Sequence, residues 1–328
     1  MVELTSYDSL ILALGSLFFG LFLLVRAGGW VIDSAVYIAT HRGVSPMVVG
    51  FTVVAFGTSF PELVVSVLAN LQGSPGISLG NVIGSNIANI LFILGCCGLL
   101  VTLRASRTGV LFVDLGFLLL STLWLALLMG GGEIGRGAGL LMLVALLGIV
   151  GVQYHRTRSK KDEPAAELET SKHQNDFSAF SFLMLGLVSI AAGAEFLVKG
   201  AQFSAHLAGV PDSVIALTIV AVGTSLPELS TSIIACRRGQ DGLVIGNIIG
   251  SNIFNVLMIL GVTSLIKPIE QGSFPETLAH TDVWFVLAVT LVFSIVFAVT
   301  GKINRLTGFL FCLVYFVYNV YVYAVNLA

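Results

Sequence analysis

The chain has 328 residues, 56% of them hydrophobic and only 10% charged, with a formal net charge of −2. Soluble domains carry about 25% charged residues, so this composition, with a mean hydropathy of +0.97, excludes an ordinary soluble fold and places the chain in a lipid bilayer. The slightly negative charge excludes nucleic acid as a partner class.

Crossing about 30 Å of hydrocarbon takes roughly 20 apolar residues in a helix. Ten segments qualify: 9–40, 45–70, 77–101, 109–129, 136–155, 178–206, 212–236, 243–266, 281–300 and 305–326. The expected fold class is therefore an all-α integral membrane protein. The first segment has no basic leader or small-residue cleavage site, and reads as a retained span rather than a signal peptide. The first and sixth exceed the required length, which predicts tilt.

The second segment carries Gly57-Thr58-Ser59-Phe60-Pro61-Glu62. Pro61 lacks an N–H and its ring clashes with the Gly57 carbonyl. Gly57 weakens the helix further. A break is expected here, freeing the carbonyls of Ala55 to Thr58. The third segment repeats Asn81, Ser85 and Asn89 on one helical face, and its small Gly80 and Gly84 allow close helix approach. Cys96 and Cys97, like Cys236 and Cys312, lie in apolar runs without ligand spacing and read as small core residues. Asp114, Asp282 and the five histidines (His41, His155, His173, His206 and His280) fall near span ends or in loops and read as solvated or interfacial.

Residues 156–177 form the one hydrophilic stretch, a linker too short to fold alone. In the sixth segment Glu195 precedes Lys199 by four residues, the spacing of a structural ion pair. The seventh segment carries Gly223-Thr224-Ser225-Leu226-Pro227-Glu228, in which Pro227 and Gly223 again predict a break that frees the carbonyls of Ala221 to Thr224. The eighth carries Asn247, Ser251 and Asn255 with Gly246 and Gly250.

The similarity is continuous. Residues 52–95 align without a gap to 218–261 at an offset of 166, with 25 of 44 positions identical. Five spans separate the two copies, so they enter the bilayer from opposite sides. This predicts two inverted five-helix repeats, 1–155 and 178–328, with ion sites at their interface near the midplane. Loops after odd-numbered spans hold 12 of the 16 Lys and Arg residues, against two on the other side. The positive-inside rule then puts linker 156–177 in the cytoplasm and both termini outside.

Intramembrane carboxylates are functional candidates because a lone charge at the bilayer centre costs at least about 2.5 kcal/mol. Glu62 and Glu228 sit about midway along their spans. Two carboxylates carry the charge that matches one Ca²⁺. With hydroxyls, amides and freed carbonyls they form an all-oxygen set suited to hard cations such as Ca²⁺ and Na⁺.

At these motifs the chain resembles the sodium/calcium exchanger branch of the cation/calcium antiporter superfamily. The paired GTSxPE and GNxxGSNxxN stretches are similar to that family's two alpha repeats. The resemblance implies Ca²⁺ efflux driven by Na⁺ entry, with alternating access. It implies Glu62 and Glu228 as shared Ca²⁺/Na⁺ ligands and roles for Thr58, Ser59, Thr224 and Ser225. Ala55 and Ala221 would contribute carbonyls, and Ser85, Asn89, Ser251 and Asn255 would close the site. Asn255 stands where some relatives, including potassium-dependent exchangers, carry Asp, which argues against potassium co-transport. The calcium-sensing insert of animal exchangers is missing, so that regulation is not expected.

The function expected is a secondary antiporter exchanging Na⁺ for Ca²⁺ in the cell (plasma or inner) membrane. The alternatives are a proton-coupled Ca²⁺ or Mn²⁺ antiporter on the same fold and, less in keeping with the broken helices, a passive cation channel. No Ser/His pair, paired-Asp motif or HExxH supports an intramembrane enzyme. The sequence points to no cofactor and no protein partner beyond the bilayer and the transported ions.

Overall fold

The computed structural model describes residues 6–105, 109–159, 175–207, 223–270 and 272–327. The helices are α1 (Ser6–Arg42), α2 (Pro46–Thr58), α3 (Phe60–Leu71), α4 (Pro75–Leu100), α5 (Gly109–Gly130), α6 (Arg136–Ser159), α7 (Asp176–Leu207), α8 (Leu226–Arg237), α9 (Asp241–Ile266), α10 (Leu278–Thr300) and α11 (Arg305–Leu327). Strands β1 (Leu103–Arg104) and β2 (Lys302–Ile303) form one short antiparallel pair. Among the described residues eight helices are long and apolar enough to cross a membrane, or nine if α2 and α3 are one bent span.

These bounds follow the expected spans within a few residues. The linker ends are partly helical: α6 continues to Ser159, and α7 starts at Asp176, where the side-chain oxygen of Asn175 caps the Ser178 N–H at 2.8 Å. Residues 208–222, which include the first eleven of the expected seventh span (212–236) and Ala221, lie outside the described residues.

Burial separates centre from periphery. All of the most apolar window of α9 is buried, and 78% of that of α4, against 28% for α1, α6 and α7 and 17% for α11. The centre is made of α2, α3, α4, α8 and α9. Gly246 and Gly250 let α9 lie directly on α2. A Cβ on Gly250 would sit 2.3 Å from the Phe51 carbonyl oxygen, and one on Gly246 2.0 Å from that of Met47. Gly80 and Gly84 meet no described atom within 4 Å; the stretch related to Met47–Ala55 by the repeat falls outside the described residues.

Helices α1 and α7 pack along most of their length through Gly20, Gly193 and Gly200, with Ser16 Oγ donating to the Phe196 carbonyl at 2.7 Å. Arg42 and Asp176 join their ends at 2.6 Å. At one end of the molecule β1 pairs with β2; elsewhere Ile134 and Ile269 exchange backbone hydrogen bonds of 2.9 and 3.1 Å.

Two polar residues differ from expectation. Asp114 is only 1% exposed and accepts a hydrogen bond from the Gln153 amide, so it is neither solvated nor interfacial. Asp282 is 8% exposed and accepts from the Tyr318 hydroxyl at 2.9 Å. Both lie one or two turns inside a helix end, where a helical neighbour covers them. His41, His155 and His280 are exposed as expected; nothing is described for the side chains of His173 and His206. Cys97, Cys236 and Cys312 are buried and all four thiols are free. Glu195 and Lys199 form the expected pair at 2.8 Å.

Candidate ion-binding site

The polar residues of the two motifs come together where α2 breaks into α3 and where α8 begins. The break falls at Ser59 (φ −81°, ψ 2°), and the two halves bend by 42°. Pro61 is the second residue of α3 and Pro227 the second of α8. Proline is tolerated there because the first N–H groups of a helix have no intrahelical acceptor. The motif thus ends one helix and starts the next, and puts Glu62 and Glu228 each in a first turn.

One expectation about the break needs correction. The Ala55 carbonyl is not freed: it accepts the Ser59 N–H at 3.0 Å and the Thr58 hydroxyl at 3.4 Å. The helix survives to Thr58 because the proline clash is relieved by turning the chain at Ser59. Gly57 and Gly223 serve packing as well, since a Cβ on either would strike Leu187 or Val198 of α7.

Glu62 and Glu228 are each 1% exposed. Glu62 lies within Coulombic reach of Glu228. Glu228 Oε1 accepts from Ser59 Oγ at 3.4 Å. A first-repeat hydroxyl therefore addresses the second-repeat carboxylate. Both oxygens of Glu62 and Oε2 of Glu228 have no partner among the described residues. Ser225 is buried and Thr224 half-buried on the approach to Glu228.

Helices α4 and α9 supply the remaining groups. Ser85, Ser251, Asn89 and Asn255 are all buried. Ser251 Oγ, Asn255 Oδ1 and both polar atoms of Asn89 have no described partner. Asn89 lies in a π-helical stretch, Ala88–Ile93, and Asn255 opens another, Asn255–Ile259. Such widened turns are frequent at functional sites. Asn81 and Asn247, on the same faces, are used differently. Asn81 Nδ2 donates to Ser66 Oγ at 3.0 Å and to the Glu62 carbonyl at 3.3 Å. Asn247 Nδ2 donates to Ser232 Oγ at 3.3 Å. They fix the α3–α4 and α8–α9 pairs one or two turns from the carboxylates.

Sequence reasoning missed Asn86 and Asn252, which cross-link the repeats. Asn86 Nδ2 donates to the Asn252 carbonyl at 3.3 Å, and Asn255 Nδ2 to Asn86 Oδ1 at 3.1 Å. Their presence inside GSNxxN was visible, but they lie off the i, i+4 face of Asn81, Ser85 and Asn89, and only the packing of α4 against α9 brings them together.

The energetics say what this arrangement can do. Each carboxylate costs about 2.5–3.5 kcal/mol at the bilayer centre. A helix N-terminus returns about 0.3–1 kcal/mol, up to about 2 in buried geometry. One hydroxyl hydrogen bond to a charge adds about 1.5–3, and it reaches only Glu228. Among the described residues nothing offsets this cost for Glu62, and a bound cation or a proton would do so. The donor set is all oxygen, which suits Ca²⁺ or Na⁺ and not a soft metal. Among the described residues no group of three His, Cys, Asp or Glu side chains offers an alternative metal site.

Comparison with known proteins agrees with this chemistry. The family described as sodium/calcium exchanger protein matches residues 12–155 and 178–324. The chain belongs to the sodium/calcium exchanger family. It is 36% identical over 291 residues to the putative antiporter CaxA of Alkalimonas amylolytica, covering 88% of this chain and 90% of that one. It is 30% identical over 348 residues to the sodium/calcium exchanger MaX1 of Methanosarcina acetivorans, covering 91% and 95%. The solved structure of the sodium-calcium exchanger NCX_Mj soaked with zero Na⁺ and Ca²⁺ superposes with a TM-score of 0.80 at 31% identity, covering 94% of this chain and 98% of that one. This family member is thus a multi-pass membrane protein, and these relatives are exchangers and antiporters rather than enzymes.

Proposed function

We propose that this exchanger is a secondary antiporter that exchanges Na⁺ for Ca²⁺ by alternating access. The observation that carries the reading is the pair Glu62 and Glu228: buried, within Coulombic reach of each other, with three of four oxygens free of described partners. One Ca²⁺ cancels their charge. Na⁺ ions drawn to the same oxygens do so in the return step. Thr58, Ser59, Thr224, Ser225, Ser85, Asn89, Ser251 and Asn255 complete the shell, with Ala221 as a carbonyl ligand. The architecture that fits is ten spans in two inverted five-helix repeats, 1–155 and 178–328, joined by a cytoplasmic linker at 156–177. Both termini then lie outside the cell membrane. Neutral Asn255 offers no further carboxylate to hold K⁺.

The coupling ion is tested by ⁴⁵Ca²⁺ uptake into Na⁺-loaded proteoliposomes. Uptake is expected to collapse when external Na⁺ equals internal Na⁺, to survive dissipation of a pH gradient, and to continue when K⁺ is replaced by choline. Uptake that follows the pH gradient and ignores Na⁺ would establish the proton-coupled alternative. Flux that needs no counter-ion and does not saturate would establish a channel.

A further inference from the structure

The two side-chain amides that join α4 to α9, those of Asn86 and Asn255, are ordered by one atom whose role is fixed. A backbone carbonyl only accepts, so Asn86 must turn its Nδ2 toward the carbonyl of Asn252, 3.3 Å away. Its Oδ1 is then an acceptor at the other end of the amide. Asn255 meets that oxygen with Nδ2 at 3.1 Å. The Asn255 amide is thereby committed: nitrogen toward Asn86, oxygen away from it. That oxygen is buried and has no described partner. Asn86, Asn252 and Asn255 are each 1% exposed, so bulk water does not compete for these bonds.

We propose that Asn86 is a positioning residue for the ion site: its hydrogen bond to Asn255 makes position 255 present an oxygen, not an NH₂ group, to the transported cation. The inference rests on the assignment of Asn255 to the ion site. The two ends of an amide are nearly equal in shape but opposite toward a cation, since the oxygen carries lone pairs and the nitrogen carries two N–H donors. Packing does not choose between them. The hydrogen bond does.

Among the described residues the other repeat shows no such lock, although it has the same residue types. The counterparts at the offset of 166 are Asn252 for Asn86 and Asn89 for Asn255. Asn252 Nδ2 instead donates to the Ile248 carbonyl of its own helix at 2.7 Å. Asn252 Oδ1 and both ends of the Asn89 amide have no described partner. Among the described residues, the site holds one oriented amide and one without a partner to orient it.

The test is a double-mutant cycle on Na⁺-driven Ca²⁺ uptake in proteoliposomes, reading KM and kcat separately against the amount of reconstituted protein. Asn86→Ala in the wild-type background frees the Asn255 amide and is expected to raise KM for Ca²⁺ about tenfold, the worth of one good hydrogen bond, with kcat changed less. In an Asn255→Asp background the side chain carries oxygen at both ends, so its rotation is silent. There Asn86→Ala is expected to raise KM less than about threefold, the usual limit of a loss that one hydrogen bond no longer explains. An equal loss in both backgrounds would make Asn86 a packing residue only and overturn the proposal, as would an unchanged KM in the single variant. Should Asn86→Ala not insert, Asn86→Asp keeps an acceptor for Asn255; KM should then hold or fall, and a rise would overturn the proposal. A wild-type chain without Ca²⁺ uptake would sink the exchanger reading itself, a result distinct from all of these.

Discussion

A carboxylate in an apolar span has no packing reason to exist, and Glu62 and Glu228 were legible for that reason. Each stands in the same Gly-Thr-Ser-x-Pro-Glu motif, 166 residues from the other. Asn86 was not legible. It lies three residues before Asn89 in the same motif, off the face of Asn81, Ser85 and Asn89, and its partners Asn252 and Asn255 are on another helix. Asp114 misled for a related reason: its covering partner, Gln153, is 39 residues away on another helix. The contact between Ser59 and Glu228 joins the two repeats at the site through a 3.4 Å hydrogen bond. Ser59→Ala should therefore raise the KM for Ca²⁺ several-fold, corresponding to about 1 kcal/mol, while membrane insertion stays normal. A Ca²⁺ titration of Na⁺-driven uptake measures this, and an unchanged KM would show that the contact contributes nothing.

Helix ends were well anticipated because proline, glycine and charged residues mark them. Pro46, Pro75, Pro61 and Pro227 all stand in the first turn of a helix. The interiors were harder. The break at Ser59 keeps the Ala55 carbonyl bonded, and the π turns leave no mark in residue type. Helix contact by small residues was expected for both motif copies and is seen for Gly246 and Gly250 against α2. Gly250→Ala is the sharpest test of that packing. Its Cβ would sit 2.3 Å from backbone oxygen of Phe51, and a backbone atom yields little. The expected loss is about 1–3 kcal/mol or more, read as a fall in melting temperature in detergent. Gly116→Ala, with nothing within 4 Å of its Cβ, should be neutral or slightly stabilising through better helix propensity. Equal behaviour of the two variants would contradict the close approach of α9 to α2.

At the scale of the whole molecule, the expected ten spans follow from composition alone, and their pairing follows from the repeat. The pairing of α1 with α7 was not foreseen, because its glycines are scattered among apolar residues rather than set in a repeated motif. The linker was legible only as a hydrophilic stretch. Its composition is polar and mixed in charge, without apolar periodicity. Deleting residues 162–174 should leave transport kinetics within about twofold, because a polar segment of this kind buries no apolar surface. Asn175 must be spared for its cap on α7. Lost activity in well-inserted protein would assign the linker a gating role.

The central claim is that Glu62 and Glu228 share one transported Ca²⁺. Equilibrium binding of ⁴⁵Ca²⁺ to the purified full-length chain tests it most directly. One Ca²⁺ per chain is expected, displaced by Na⁺, with loss of that binding in Glu62→Gln and in Glu228→Gln, each of which inserts normally. Retention of Na⁺-sensitive binding at one Ca²⁺ per chain in either variant would contradict it.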